Sequence, residues 1–186
     1  MPKRRYATFV RTLKRVEGDA GRLEELFQIA RQVCPEGFPA DETRTLEAMR
    51  EYVTIAFADS LRRQLAAKLE LPADLFSLDR FTIQGCGPVS LHDDKRNYPT
   101  SYFAVIVAHS GRLGLVDANS RALAHAPGEI LLLDPRKRHA LVPEGLRAAD
   151  QRCAPLHTIA REVQDQFLFF DFEVPRAPLR ARFCEV

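Results

Sequence analysis

The sequence lacks several features that would place it in a large class of proteins. No run of 18 apolar residues occurs in its 186 residues, which argues against a membrane-spanning helix. Neither sign of charge dominates, because 27 Lys and Arg residues are balanced by 25 Asp and Glu residues. We therefore expect no nucleic-acid partner and no membrane association.

Cysteine pairs at metal-binding or redox spacing are also absent. The four cysteines, Cys34, Cys86, Cys153 and Cys184, are scattered, and no C-x-x-C motif occurs. This distribution is typical of reduced thiols rather than of a disulfide-stabilised secreted domain. The basic N-terminus continues without the apolar segment of a signal peptide. We expect a soluble, cytoplasmic protein.

Low-complexity linkers and internal repeats are missing too, so the length predicts one domain over residues 1–186. The residue pattern changes near Pro72. Residues 1–71 predict a helical support region, residues 78–174 a β-rich core, and residues 175–186 a C-terminal tail.

Two helices are predicted before Pro72. The first ends before Pro35 and has apolar residues at three- and four-residue steps: Leu23, Leu26, Phe27, Ala30 and Val33. The second is predicted to begin after Asp41, which can cap its free N–H groups, and to end at Leu71. Its apolar stripe comprises Leu46, Met49, Val53, Ala56, Leu61, Leu65 and Leu69.

Short β-rich runs follow Pro72, separated by turn residues. The predicted strands are 80–84, 89–92, 101–108, 112–116, 129–134, 140–142 and 167–174. In the last strand, alternation predicts an ordinary core face of Leu168, Phe170, Phe172 and Val174, opposite a face with Phe167, Phe169, Asp171 and Glu173. These strands predict a mainly β fold, a barrel or double-sheet jelly roll, with N-terminal helices packed outside it (α+β).

The segment with the most chemical content is His92-Asp93-Asp94, which ends one apolar strand, together with His139, which follows another. Residues two apart on a strand point to the same face, so His92 and Asp94 can reach one ion while Asp93 points away. His139 must come from another strand at the same barrel mouth. Two imidazoles and one carboxylate leave positions open on an octahedral ion, which suits Fe(II) binding a co-substrate and O2. The absence of a cysteine ligand argues against structural zinc.

The order of these motifs resembles the Fe(II)/2-oxoglutarate-dependent oxygenases of the prolyl-4-hydroxylase type. The resemblance covers roughly residues 80–148, or to 174 with the last strand. It rests on a turn with Gly85 and Gly87, Ser90-Leu91-His92-Asp93-Asp94-Lys95, the strand 102–107, Pro127-Gly128-Glu129 with the aliphatic run 130–133, and the segment 139–147. It implies a double-stranded β-helix, the cupin-like jelly roll, supported by two or more helices.

The resemblance also implies a set of site residues. His92, Asp94 and His139 would hold Fe(II), and 2-oxoglutarate would chelate the iron through its keto acid end. O2 is the second co-substrate, and ascorbate is an accessory reductant in such enzymes.

The far carboxylate of 2-oxoglutarate implies a basic partner. Arg147, eight residues after His139 and expected on the next strand, is the first choice, since its planar fork can bind a carboxylate through two hydrogen bonds. Arg152 is the second choice. A hydroxyl from Tyr102 or Tyr98 could share that carboxylate.

The implied reaction is oxidative decarboxylation of 2-oxoglutarate to succinate and CO2, coupled to hydroxylation or desaturation of a C–H bond. Because Asp94 keeps a carboxylate where related halogenases have a small residue, halogenation is disfavoured. The chain has no long insertion to clamp a macromolecule, so we expect a small-molecule or peptide-like substrate. Residues 148–165 have no clear periodicity and are interpreted as a lid over the iron.

Two alternatives remain open. The segment 127–135 ending at His139 also resembles the second cupin motif, which would give a metalloenzyme that does not use 2-oxoglutarate; against it, no glutamate follows His92 closely. The third hypothesis is a non-catalytic jelly-roll binding module. His109 and His125 lie near turns, and we expect them to hydrogen-bond in loops rather than bind metal.

Overall fold

The structure is a computed structural model that describes residues 10–13, 16–79, 81–119, 122–124, 126–144, 146 and 159–183. In chain order the strands are β1 (Val10–Leu13), β2 (Phe38–Pro39), β3 (Arg44–Thr45), β4 (Thr82–Cys86), β5 (Val89–His92), β6 (Ser101–His109), β7 (Leu113–Asp117), β8 (Ala122–Ala124), β9 (Ile130–Leu133), β10 (His139–Pro143), β11 (Ile159–Ala160) and β12 (Phe167–Pro175). The α-helices are α1 (Ala20–Val33), α2 (Ile55–Leu69) and α3 (Arg176–Phe183), and 3₁₀ turns lie at Glu47–Met49, Ala73–Leu75 and Val163–Asp165.

Two antiparallel sheets form the centre of the fold. The larger has the strand order β1-β9-β6-β12-β4-β3, and the smaller has the order β5-β10-β7-β8. β2 and β11 form a separate two-stranded pair. Apolar residues from the inner faces of both sheets make one cluster, which includes Phe103, Leu133, Phe167, Leu115 and Leu141. The predicted mainly β, jelly-roll fold with supporting helices is confirmed.

The larger sheet is buried on both faces, because helices cover its outer side. β12 shows this directly: Leu168, Phe170, Phe172 and Val174 pack into the helix-side core, as predicted. Phe167 and Phe169 point instead toward the smaller sheet. α1 contributes Leu23, Leu26, Phe27 and Ala30 to the helix-side core, which are four of the five residues of its predicted stripe.

The second helix is shorter than predicted. It begins at Ile55, where the Thr54 side chain accepts a hydrogen bond from the Phe57 N–H at 3.2 Å, and not after Asp41. Asp41 has φ 58°, and its carboxylate accepts the Ser90 N–H at 2.6 Å, so it fixes a loop against β5 instead of capping a helix. Leu46 donates its N–H to the Ile83 carbonyl at 2.8 Å. Residues 44–46 therefore pair with β4, and residues 47–49 form only a 3₁₀ turn, so tertiary pairing overrides the helical spacing of this segment.

All seven predicted strands are present, each with ends within two residues of the prediction. The largest shift is in β4, which begins at Thr82 instead of residue 80 and extends to Cys86. Five further strands were not predicted, namely β1, β2, β3, β8 and β11, and α3 occupies most of the segment expected to be a tail. None of the described helices has the length and hydropathy that a lipid-spanning segment needs. The single-domain organisation stays a prediction.

Candidate metal centre and cavity

His92, Asp94 and His139 meet at one end of the smaller sheet. His92 is the last residue of β5 and His139 the first of β10, and the two are directly paired across these neighbouring strands. Asp94 follows in a turn whose backbone is fixed by a hydrogen bond from the Asp94 N–H to the Pro135 carbonyl at 2.8 Å. The sheet pairing thus brings together residues from two distant parts of the sequence.

The three side chains present one donor atom each to a common point. Nε2 of His139 lies 3.2 Å from Oδ2 of Asp94, and Nε2 of His92 lies 3.7 Å from the same oxygen. One donor atom from each residue lies within 4.8 Å of the others. Side-chain exposure is 7% for His139, 16% for Asp94 and 38% for His92, so the cluster opens on the His92 side.

Backbone carbonyls orient both imidazole rings. Nδ1 of His92 lies 2.8 Å from the Ser90 carbonyl, and Nδ1 of His139 lies 3.1 Å from the Lys137 carbonyl. Because a carbonyl oxygen only accepts, each Nδ1 must carry the proton. In the neutral imidazole this tautomer leaves the lone pair on Nε2, which faces Asp94, and it is the tautomer that metal-binding histidines need.

The Asp94 carboxylate is held ionised and oriented. Burial opposes its charge, but the interactions with His139 and His92, which attract the carboxylate when an imidazole is protonated, and the hydrogen bond from Asn97 outweigh burial and lower its pKa. The Asn97 amide donates to Oδ1 at 3.3 Å, which leaves Oδ2 for the shared point. Two imidazole nitrogens and one carboxylate oxygen, with no thiolate in the cluster, fit a ferrous ion with open coordination positions.

A cavity of about 420 Å³ runs from this cluster between the two sheets. Its walls are largely apolar, with Phe103, Val105, Leu115, Leu141 and Phe169 among the lining residues. The polar residues that line it, apart from the cluster, are Thr43, Thr45, Thr82, Gln84, Asn97, Tyr98, Asp171 and Glu173. The volume is in the range of pockets that hold small molecules.

Of the two tyrosines predicted to contact a co-substrate, the structure brings only Tyr98 to the cavity. Its ring stacks on Phe103 at 4.5 Å between centroids, and its hydroxyl donates a hydrogen bond to Oδ2 of Asp171. Burial and the charge of Asp171 raise its pKa, so Tyr98 stays a neutral donor.

Tyr102 lies on the opposite face of β6. It is 2% exposed within the helix-side core, and the Arg176 guanidinium lies 5.0 Å from its ring centroid. The strand alternation that points Phe103 into the cavity points its neighbour away. Tyr102 is therefore not positioned to contact a ligand in this cavity.

The basic partner expected on the next strand lies outside the residues that the structure describes, so its assignment stays a prediction. After β10, the next strand of the two large sheets is β12, which begins only at Phe167. Arg147 precedes β12 by a long connection, and both Arg147 and Arg152 lie outside the described residues, as does His125. None of the described residues that line the cavity is Arg or Lys.

Sequence reasoning missed the acidic wall of the cavity. Asp171 is 4% exposed, and its Oδ2 accepts hydrogen bonds from Tyr98 and, at 3.1 Å, from Nε2 of Gln84. Burial raises the pKa of Asp171 to about 7, against the hydrogen bond from Tyr98, and the charges of Asp94 and Glu173 act in the same direction as burial. The alternation of β12 had placed Asp171 and Glu173 on one face with two phenylalanines, which was the available signal.

The described part of the predicted lid lies at the other end of the fold. β11 pairs with β2, and the Gln164 carbonyl accepts the Arg112 N–H at 2.8 Å. Arg112 precedes β7, whose opposite end, Asp117, pairs with His139. Residues 159–165 are therefore remote from the metal cluster and do not cover it. Residues 148–158 lie outside the described part of the chain.

No known protein family matches the sequence, and no curated protein matches it either. Solved structures do match in fold. The non-heme alpha ketoglutarate dependent epimerase SnoN from nogalamycin biosynthesis has 12% identity and a TM-score of 0.54, over 91% of this chain and 79% of SnoN. EvdO2 from Micromonospora carbonacea var. aurantiaca, complexed with 2-oxoglutarate, has the same identity and TM-score, over 91% and 89%.

A third match is a prolyl hydroxylase from Trichoplax adhaerens in complex with a hypoxia inducible factor peptide fragment. It has 11% identity and a TM-score of 0.51, over 94% of this chain and 87% of the hydroxylase. The resemblance found in the sequence is thus confirmed at the level of the fold: the chain has the fold of the 2-oxoglutarate-dependent oxygenases.

Proposed function

We propose that the chain is a non-haem Fe(II) oxygenase that holds its metal with His92, Asp94 and His139. The observation that carries the proposal is the convergence of both Nε2 atoms on Oδ2 of Asp94, at the mouth of a cavity in this fold. Ferrous ion bound there would supply the binding and activation of O2 for oxidation of a C–H bond. The chain itself orients the ligands through backbone carbonyls and excludes water with the apolar cavity walls.

The proposal includes 2-oxoglutarate as co-substrate, converted to succinate and CO2, and hydroxylation of a small-molecule or peptide-like substrate. The fold likeness to EvdO2 complexed with 2-oxoglutarate supports this part. The far carboxylate of 2-oxoglutarate then needs a cation, and the described cavity wall offers none. The proposal assigns that role to Arg147, with Arg152 as the second choice.

A second candidate is a metalloenzyme of the cupin type that does not use 2-oxoglutarate. The observation that favours it is the buried carboxylate of Asp171 on the cavity wall, where a dicarboxylate would meet a like charge. The same metal ligands would serve this candidate, so the two differ in co-substrate alone.

Metal binding is tested first, by anaerobic calorimetry with Fe(II) and with Mn(II) on wild type, His139→Ala and Asp93→Asn. Asp93 is the matched control, because it neighbours both ligands in sequence while its carboxylate binds Lys95 at 3.1 Å. We expect His139→Ala to lose at least about tenfold in affinity and Asp93→Asn to retain it. Equal metal binding by all three proteins would contradict the metal site. The remaining hypothesis would then be a non-catalytic jelly-roll binding module.

The co-substrate is tested by anaerobic titration of the Fe(II)-loaded chain with 2-oxoglutarate, followed by the visible metal-to-ligand charge-transfer band. We expect a band in wild type that needs much more 2-oxoglutarate in Arg147→Ala than in Arg136→Ala, an exposed arginine of the turn before β10. No band in iron-loaded wild type would support the second candidate instead.

A further inference from the structure

The inner face of β12 carries a carboxylate that the proposed chemistry does not use. Asp171 lines the cavity and is 4% exposed. Its Oδ2 is occupied by Tyr98 and Gln84, whereas its Oδ1 has no hydrogen-bond partner among the described residues. A buried carboxylate oxygen without a partner is costly, since the lost hydration is not replaced.

The surroundings of Asp171 make the charge harder to bury, not easier. No described Lys or Arg lines this cavity, and the charges that act on the Asp171 pKa are the carboxylates of Asp94 and Glu173. Burial and these charges raise the pKa of Asp171 to about 7. A cation whose N–H groups donate to Oδ1 would offset the unfavourable burial of the Asp171 charge.

We propose that Asp171, together with Glu173, forms a subsite for an ammonium or guanidinium group, so that the substrate oxidised at the metal is a basic compound. The two carboxylates lie on the same face of β12, one strand pleat apart, and both line the cavity that reaches the metal cluster. The choice of substrate rests on the proposed function, whereas the binding of a cation at Asp171 does not.

The hydrogen bonds around Asp171 suit this role. Tyr98 and Gln84 are neutral donors that hold Oδ2 in place, so the carboxylate is fixed before a ligand arrives. Oδ1 remains as the acceptor for a ligand N–H. Preorganisation of this kind lowers the entropic cost of binding. Phe103 and Phe169 supply apolar walls for the aliphatic part of an amine.

The test is calorimetry on the full chain, with and without Mn(II), using three five-carbon probes. These are cadaverine, which is a diamine, the dicarboxylate glutarate, and the uncharged pentanediol. We expect cadaverine to bind at least about tenfold more tightly than pentanediol, whereas any binding of glutarate reports the proposed 2-oxoglutarate site and should not weaken in Asp171→Asn. Asp171→Asn, which keeps the size of the side chain, should lower cadaverine affinity by about tenfold or more.

Asp93→Asn is the matched variant, because it makes the same change at a carboxylate that binds Lys95 and does not line the cavity. It should retain cadaverine affinity within about threefold, whereas an equal loss in both variants would show that the overall negative charge, and not the subsite, binds the amine. Near-UV circular dichroism of both variants, compared with wild type, verifies that they fold.

Three results would overturn the proposal: cadaverine binding no tighter than that of pentanediol, unchanged cadaverine affinity in folded Asp171→Asn, or no cadaverine binding at all. Failure of the proposed function is seen separately, as loss of Mn(II) binding in wild type. If cadaverine binds only with Mn(II) and survives Asp171→Asn, the amine is bound by the metal, and the subsite is wrong although the metal site is right.

Discussion

The ring of His109 lies flat on the ring of Phe27, with centroids 3.5 Å apart and an angle of 3° between the planes. The contact joins α1 to the last residue of β6, and Nε2 of His109 reaches the Val163 carbonyl at 3.2 Å. His109 therefore couples a helix, a strand and the segment before β12, and it is not near the metal cluster.

This stack predicts a pH effect on stability. Burial lowers the pKa of His109, although the Val163 carbonyl and Glu24 favour its charged form. The folded chain thus binds the proton less readily than the unfolded chain. As pH falls below about 6.5, this site makes the free energy of unfolding decrease. His109→Phe keeps the stack, so urea unfolding at several pH values should show a smaller decrease than in wild type; an unchanged pH profile would contradict the prediction.

Asp171 predicts the opposite dependence. Its pKa is raised from 3.8 to about 7, so between these values the folded chain holds a proton that the unfolded chain has released. Its contribution to stability is present at low pH and is lost as pH rises through about 7. Asp171→Asn should be more stable than wild type near pH 8, on the order of 2 kcal/mol, with little gain near pH 4. Denaturant unfolding at both pH values measures the difference, and equal gains would show that the charge is not the cause.

Asn97 is predicted to be a positioning residue for the metal. Its amide donates to Oδ1 of Asp94, so Asn97→Ala frees the carboxylate to rotate. Metal affinity measured by Mn(II) titration should fall about 10- to 100-fold. Asn119→Ala, in the turn after β7, is the control, because Asn119 bonds Asp117 through its backbone N–H rather than its side chain. Asn97→Asp should also bind Mn(II) more weakly than wild type, since a second carboxylate repels Asp94.

Gly111 is predicted to be irreplaceable for steric reasons. It has φ +55°, and a Cβ there would lie 2.4 Å from the Gln164 carbonyl oxygen. Gly18 has φ +78° with nothing within 4 Å, so Gly18→Ala isolates the cost of the backbone angle. We expect Gly18→Ala to cost about 1 kcal/mol and Gly111→Ala about 3 kcal/mol in denaturant unfolding. Equal losses of unfolding free energy in the two variants would show that the backbone angle, and not the steric contact, is the cause.

Phe170 is predicted to be a main support of the helix-side core. It is fully buried, stacks on Phe81 at 5.5 Å between centroids, and meets Phe57 of α2 edge-on. Phe170→Ala should cost about 3–5 kcal/mol of unfolding free energy. Ile55→Ala, at a residue 81% exposed, should change it by less than about 0.5 kcal/mol. Similar losses in both variants would contradict this account.

Most strands of the barrel could be predicted from the sequence, because they are long enough to show a pattern of apolar residues. β6 and β12 have nine residues each, and their alternation or continuous burial is visible. β2, β3 and β11 have two residues each, too few for any period, and tertiary pairing alone defines them. α3 contains Pro178 close to its start, which breaks the usual signal of a helix.

The convergence of His92, Asp94 and His139 was predictable because these residues lie at or next to strand ends, where a short sequence motif defines their relative positions. The acidic wall was not, because a carboxylate on a strand is usually interpreted as facing solvent. Only the pairing of β12 with both β4 and β6 shows that Asp171 is central in the larger sheet and cannot reach solvent. Whether both faces of a strand are buried depends on the sheets and helices packed against it, and not on the sequence of the strand itself.

The pairing of β5 with β10 has a consequence for how the molecule assembles. The guanidinium of Arg138 donates to the Leu91 carbonyl at 2.9 Å, next to His92 and His139, across 47 residues of chain. The intervening chain includes β6, β7 and β9, so the contact is non-local, and non-local contacts are typical of slowly folding proteins. An ion bound by His92 and His139 would link β5 to β10 in the folded barrel. It should therefore slow unfolding more than it speeds folding.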